Sequence, residues 1–320
     1  MEALRDALGK ALVAAGHRHP DLVVVSCDVR TATRVQGFFK EFPRRSFEVG
    51  IAEANGVGIA TGLALAGLRP FLTSFSAFIT GKNVEIRSSI AYNRAPVVVV
   101  GTHGGLIGPD GATHAGLQDI AVMRSIPGMR VFQPATPLET RAMVEHLAGD
   151  RHMAYLRIGR EVVPELLEPG YQFVPGRGVV LREGIDLALI SSGSLVHVAL
   201  AAAEQLSRER DLSIRVVNLP SLKPVDRSLI QRCVEETGLV VTVEDHDVSG
   251  GLGSIVAEVV GECPAPCQVH RHGLADVFIS SATPEELARI HRLDAAGVAA
   301  VVLAVWDKHG GPRRKAHRPG

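Results

Sequence analysis

Two stretches of this 320-residue chain gather side chains that can exchange protons, and a third invites a nucleotide reading. The first is Phe47-Glu-Val-Gly-Ile-Ala-Glu53-Ala-Asn-Gly, where a carboxylate opens a helical pattern among apolar and small residues. A glutamate there can carry a proton in an apolar setting, or simply satisfy the positive end of a helix. The second is Gly101-Thr-His103-Gly-Gly-Leu-Ile-Gly108-Pro-Asp110-Gly111-Ala-Thr-His114. It follows the apolar run 97–100, which places it at the carboxyl edge of a sheet, where open α/β folds bind ligands. Its glycines give backbone freedom, while two histidines and an aspartate offer hydrogen bonds and proton transfer. Such a loop is either a solvated surface segment or a functional one, and long glycine-rich loops within compact domains favour the second. The third is Gly56-Val-Gly58-Ile-Ala-Thr-Gly62. A dinucleotide fingerprint needs a strand just before the first glycine and an acid about 20 residues later. These glycines sit inside the helical pattern, and the later segment Arg69-Pro-Phe-Leu-Thr73 has no acid, so they read as small residues for close helix packing.

The elements that would hold these groups alternate. Runs 22–25, 71–75, 97–100, 131–133 and 153–156 read as buried strands; 2–15, 53–66, 81–92 and 137–147 read as helices. That order predicts a mostly parallel sheet covered by helices. Segment 161–184, rich in proline and glycine, reads as a crossing linker. A second alternation follows, with strands 187–191, 214–217, 239–244 and 267–270 and helices 196–206, 226–236, 252–260 and 284–290. The expected division is 1–163, a linker 164–184, a second domain 185–307 and a flexible basic tail 308–320.

Composition narrows the class. Apolar residues make up 46% and charged residues 21%, the balance of a globular protein. Lys plus Arg equals Asp plus Glu at 34 each, which argues against a nucleic-acid surface. No run is long and apolar enough to suggest a membrane partner. Four scattered cysteines read as reduced thiols, hence a cytoplasmic location. Walker, nucleophile-elbow and His-Glu-x-x-His signatures are absent.

Segments 47–55, Phe75-Ser-Ala-Phe78, 103–114 and Gln118-Asp-Ile-Ala-Val-Met-Arg-Ser-Ile-Pro-Gly128 together resemble, in order and spacing, the pyrimidine-binding half of a transketolase. Val241-Thr-Val-Glu244-Asp-His246, followed by Gly250-Gly-Leu-Gly-Ser254, resembles the transketolase C-terminal domain. The family anchors the diphosphate of its thiamine cofactor, and a divalent metal, with a Gly-Asp-Gly that does not occur here. The resemblance is therefore to the smaller subunit of a split transketolase. It implies thiamine diphosphate shared with a diphosphate-binding N-terminal subunit that holds Mg²⁺ or Ca²⁺, in an α2β2 heterotetramer.

The resemblance also implies roles. Glu53 matches the glutamate that hydrogen-bonds N1′ of the aminopyrimidine and so assists deprotonation of the thiazolium carbon. Phe75 and Phe78 match aromatics around the pyrimidine, with Gly81 where the family often has a third. His114 matches a histidine near the donor's carbonyl end, Asp110 an aspartate that reads a sugar hydroxyl, and His103 a histidine near the phosphate end. Arg160 matches a phosphate-binding arginine, with Arg157 a competitor for the same role, since a guanidinium fork suits phosphate. Arg5 resembles another phosphate contact, Asp28 an aspartate after the first strand, and Thr31 and Thr33 stand where a phosphate-binding serine would lie. The implied reaction moves a two-carbon ketol unit from a ketose phosphate to an aldose. The alternative is the beta subunit of a 2-oxo acid dehydrogenase, or a hybrid, passing a two-carbon unit to a lipoyl or carrier-protein arm.

Overall fold

A strand buried on both faces needs apolar side chains at every position, and the β-branched runs of the first half supply them. In the computed structural model, which describes residues 1–309, they line up as one seven-stranded sheet. Its order is Ser221–Lys223, Arg130–Phe132, Ala154–Ile158, Val98–Thr102, Arg69–Phe75, Leu22–Ser26 and Ser46–Glu48. Every pairing is parallel except that between Ser221–Lys223 and Arg130–Phe132. Alternation along the strands splits the interior. Val97 and Val99 join the cluster holding Val57 and Ala60 of helix Glu53–Leu65. Val98 and Val100 face the cluster holding Leu8 and Leu12 of helix Leu4–Arg18 and Leu147 of helix Pro137–Gly149.

The second alternation builds a five-stranded sheet, ordered Gln268–Leu274, Leu239–Asp247, Leu187–Ser191, Ile214–Asn218 and Val179–Arg182. Its pairs are parallel except the last. The two sheets share core: Val99, Met123 and Val131 lie in one apolar cluster with Val217, Ile230 and Leu252. Strand Ser221–Lys223 leaves the second half of the chain to edge the first sheet.

Several expectations need correction. Segment 161–184 is not a bare linker. It opens with Val162–Val163, paired antiparallel to Glu2–Ala3, and ends in the edge strand Val179–Arg182. Between them Phe173 stands edge-on to Phe132 at 5.1 Å. The first helix therefore starts at Leu4, because Glu2 and Ala3 are taken by that pairing. The helix read over 81–92 is broken into Asn83–Glu85 and a wider π-helical turn, Ile86–Ala91, and a separate short helix, Ser76–Thr80, precedes it. Helix Ala295–His309 lies beyond the expected helices and makes Lys308 and His309 helical; the rest of the expected tail lies outside the described residues. No helix among the described residues is long and apolar enough to cross a membrane.

Candidate active site

The catalytic candidates cluster where parallel strands of the first sheet end. Glu53 is the first residue of helix Glu53–Leu65, where unpaired backbone N–H groups and the helix dipole favour a carboxylate. It is buried, and Ser74 Oγ donates to its Oε1 at 3.0 Å. Ser74 is on strand Arg69–Phe75, and the next residue carries the first aromatic ring.

Phe75 and Phe78 lie nearly parallel, with centroids 5.3 Å apart and planes at 11°. His103, just past strand Val98–Thr102, stacks on Phe75 at 3.8 Å and 23°. His114 meets Phe78 edge-on at 5.2 Å. The four rings come from a strand end, a short helix and both ends of the glycine-rich loop. His103 adopts φ +60, a left-handed conformation that a residue with a Cβ takes only where its surroundings impose it. Thr102 Oγ1 lies 2.9 Å from His103 Nδ1. Burial, together with the charges of Arg5 and Arg160, pushes the His103 imidazole down to about 4, so it is neutral at neutral pH.

Arg160 Nη1 donates to Asp110 Oδ2 at 2.8 Å and to the Ile107 carbonyl at 3.3 Å. The loop aspartate and the arginine after strand Ala154–Ile158 are thus one half-exposed ion pair. A cavity of about 740 Å³ opens beside Arg5 and Arg160 and runs between Ile107 and Ser194, room enough for a small-molecule phosphate. Asp28 stands at φ +61 after strand Leu22–Ser26; its backbone N–H donates to Glu48 Oε1 at 2.7 Å, and the residue is exposed. The Thr33 hydroxyl donates to the Val29 carbonyl, leaving Thr31 as the exposed hydroxyl of that segment. Gly81 ends helix Ser76–Thr80 and presents no ring.

Arg157 does not meet the expectation of a substrate ligand. It is fully buried, with Nε donating to Asp119 Oδ2 at 2.9 Å and Nη1 to Asp245 Oδ1 at 2.6 Å. Nη2 donates to the carbonyls of Gly116 and Asp245. All three nitrogens are committed inside the protein. Burial opposes the charge, but Asp119 and Asp245 more than offset it and hold the guanidinium above its ordinary value. Asp119 and Asp245, which complete this network with Tyr155, lie within the segments 118–128 and 241–246 quoted above, but nothing local in sequence pairs them with Arg157.

A buried carboxyl near a flat aromatic pair fits an aminopyrimidine, whose ring nitrogen accepts a hydrogen bond from a protonated carboxyl and whose face takes apolar contact. Residues 2–165 match the family model "Transketolase, pyrimidine binding domain", and residues 176–298 match "Transketolase, C-terminal domain". The chain is 37% identical to the putative transketolase C-terminal section of Methanocaldococcus jannaschii, over 96% of this chain and 97% of that protein. It is 35% identical to one subunit of the apulose-4-phosphate transketolase of Phocaeicola vulgatus, over 96% of this chain and 99% of that one. A solved structure described as a split gene transketolase, inactive beta4 tetramer, superposes with a TM-score of 0.89 at 42% identity, covering 96% of this chain and 99% of that chain.

Proposed function

This chain belongs to the transketolase family, and from that premise we propose that it is the pyrimidine-binding subunit of a two-component transketolase. The reaction is transfer of a two-carbon ketol unit from a ketose phosphate to an aldose or related acceptor. The observation that carries the reading is the meeting of Glu53, Phe75, Phe78, His103 and His114 at one sheet edge, although they span 62 residues of sequence (114 − 53 + 1). The relatives named above are described as transketolases or transketolase sections, which favours this reading over the dehydrogenase alternative.

Thiamine diphosphate, when bound, supplies an electron sink that stabilises the carbanion left when a ketose loses its carbon–carbon bond. Glu53 would hold a proton at N1′ of the pyrimidine, with Ser74 fixing the carboxylate by its other contact. Phe75 and Phe78 would cover the ring and exclude water. Neutral His103 donates or accepts a hydrogen bond without adding charge beside Arg5 and Arg160. Those two guanidiniums supply the positive field for a substrate phosphate, and Asp110 orients Arg160 while offering an acceptor to a sugar hydroxyl. His114 reaches the carbonyl end of the donor.

The chain carries no Gly-Asp-Gly, so the diphosphate and its Mg²⁺ or Ca²⁺ would be held by the partner subunit, in an α2β2 assembly. The test mixes this chain with a Gly-Asp-Gly-bearing partner, thiamine diphosphate and Mg²⁺, and follows ketol transfer from a ketose phosphate. Turnover is expected only with both chains present, and calorimetry should find weak cofactor binding by this chain alone. Tight binding or turnover by the isolated chain would refute the split-site reading.

A further inference from the structure

The glycine-rich loop belongs to the first sheet by sequence but to the second half of the chain by packing. Leu106, Ile107, Ala115 and Leu117 are buried in the apolar cluster that also holds Leu189, Ala199, Leu287 and Val298. The loop's neck is closed by backbone bonds, Gly105 N to the Gly116 carbonyl at 3.0 Å and Gly116 N to the His103 carbonyl at 3.2 Å. The Arg157 guanidinium is inserted at this neck and donates to the same Gly116 carbonyl at 3.0 Å.

Besides Asp119, what holds Arg157 there comes from the far end of strand Leu239–Asp247. Asp245 accepts from Arg157 Nη1 through Oδ1, from Ser194 Oγ through Oδ2 at 3.2 Å, and from Arg157 Nη2 through its own carbonyl at 3.2 Å. Two residues on, Asp247 N donates to the Leu117 carbonyl at 2.8 Å, where the loop leaves the neck. The fit leaves no slack. A Cβ on Gly105, which sits at φ +90, would overlap the Asp245 carboxylate, and one on Gly104 would press on Arg157 Nε at 2.7 Å.

We propose that Asp245 is a positioning residue for the transketolase site: through Arg157 it fixes the loop neck, and with it His103, Asp110 and His114. This rests on the reading of those three residues as substrate contacts. Asp245 touches none of them. The inference assigns the second half of the chain a part in substrate recognition, while the pyrimidine contacts Glu53, Phe75 and Phe78 are held by the first sheet and its helices. A buried arginine that loses one of two carboxylates is left with charge only partly matched, and its hold on the neck weakens with it.

Phe75 and Phe78 share ring contacts with His103 and His114, so helix Glu53–Leu65, held by the first sheet, is the control for the test. Asp245→Asn keeps size and one acceptor but removes the charge. In the full chain, hydrogen–deuterium exchange over 104–116 should rise about tenfold or more, while helix Glu53–Leu65 exchanges as before. In the complex with the diphosphate-binding subunit, KM for the sugar substrates should rise about tenfold or more, with a clearly smaller change in the half-saturating thiamine diphosphate concentration. Unchanged exchange and KM would overturn the proposal. So would an equal loss of cofactor affinity, the mark of general destabilisation. If Asp245→Asn does not fold, Ser194→Ala, which removes the hydroxyl donated to Asp245, should raise exchange over 104–116 by less, and because Ser194 also lines the cavity only the exchange readout is used for it. A wild-type complex without ketol transfer would defeat the functional reading, and the exchange experiment would still decide whether Asp245 fixes the loop.

Discussion

In the proposed reaction Glu53 is the residue on which the chemistry turns, and its surroundings separate that role from its part in folding. Its neighbours are the Ser74 hydroxyl and the first turn of its own helix, not a buried cation whose charge would be stranded by neutralisation. Glu53→Gln keeps the size and the acceptor for Ser74 while removing the exchangeable acid. Ketol transfer by the assembled enzyme should fall on the order of 100-fold or more, while stability changes by about 1 kcal/mol or less. Steady-state rates alongside a thermal melt check this, and near-normal turnover would take Glu53 out of the proton path. Glu53, Phe75 and Phe78 could be singled out in sequence because each lies within a short recognisable segment. Arg157 could not be told from Arg160 there. The partners that decide between them are Asp119 and Asp245, 38 and 88 residues away, and no local pattern records an ion pair closed over that distance.

At the scale of elements, the second sheet contains a carboxyl whose burial favours its protonated form. Glu244, on strand Leu239–Asp247, accepts from the Gly253 N–H at 2.8 Å and so caps helix Leu252–Gly261. Burial outweighs this bond and pushes the carboxyl up to about 8 from an ordinary value of 4.5. The folded state therefore binds more protons than the unfolded state between those values. The stability contribution is complete below pH of about 4.5 and is lost as pH rises through about 8, at up to about 1.4 kcal/mol per pH unit. Glu244→Gln keeps an acceptor for Gly253 and abolishes that slope. Denaturant titrations at pH 5 and pH 8 should show the variant gaining on the wild type by several kcal/mol as pH rises, and parallel curves would mean Glu244 is ionised when folded. Sequence readings of elements succeed where the period is strong and fail where pairing is remote. Strand Leu187–Ser191 and helix Pro284–Ile290 fall where their patterns end, the latter behind a Thr283–Glu286 capping box. Strand Ser221–Lys223 has only Arg130–Phe132, in the other half of the chain, as its reason to be extended. Helix Ala295–His309 did carry a signal, Val298, Val302 and Val305 at helical spacing behind Asp294, whose Oδ1 accepts from Gly297 N.

For the whole molecule, the open side of the site decides what must meet it. Ile51 is 85% exposed two residues before buried Glu53, and Leu65, at the other end of the same helix, is 62% exposed. On the outward face between them, a Cβ at Gly58 or Gly62 would meet nothing within 4 Å. If the cofactor's pyrimidine lies against Glu53 as proposed, the subunit holding its diphosphate is expected to approach from this side. The apolar side chains here then have a use that the isolated chain does not give them. Ile51→Arg tests this without disturbing the fold, because an exposed position away from packing tolerates substitution within about 0.5 kcal/mol. The isolated variant should therefore melt with the wild type. Against the partner the same arginine would be buried without a counter-charge, and affinity should drop about tenfold or more. Titrating the partner into the variant, with activity and sedimentation followed together, separates assembly from chemistry. Loss at low partner concentration that recovers at excess places Ile51 in the subunit interface. Loss that persists once assembly is complete would put Ile51 in the site itself, and wild-type assembly and activity throughout would mean that the partner meets another face.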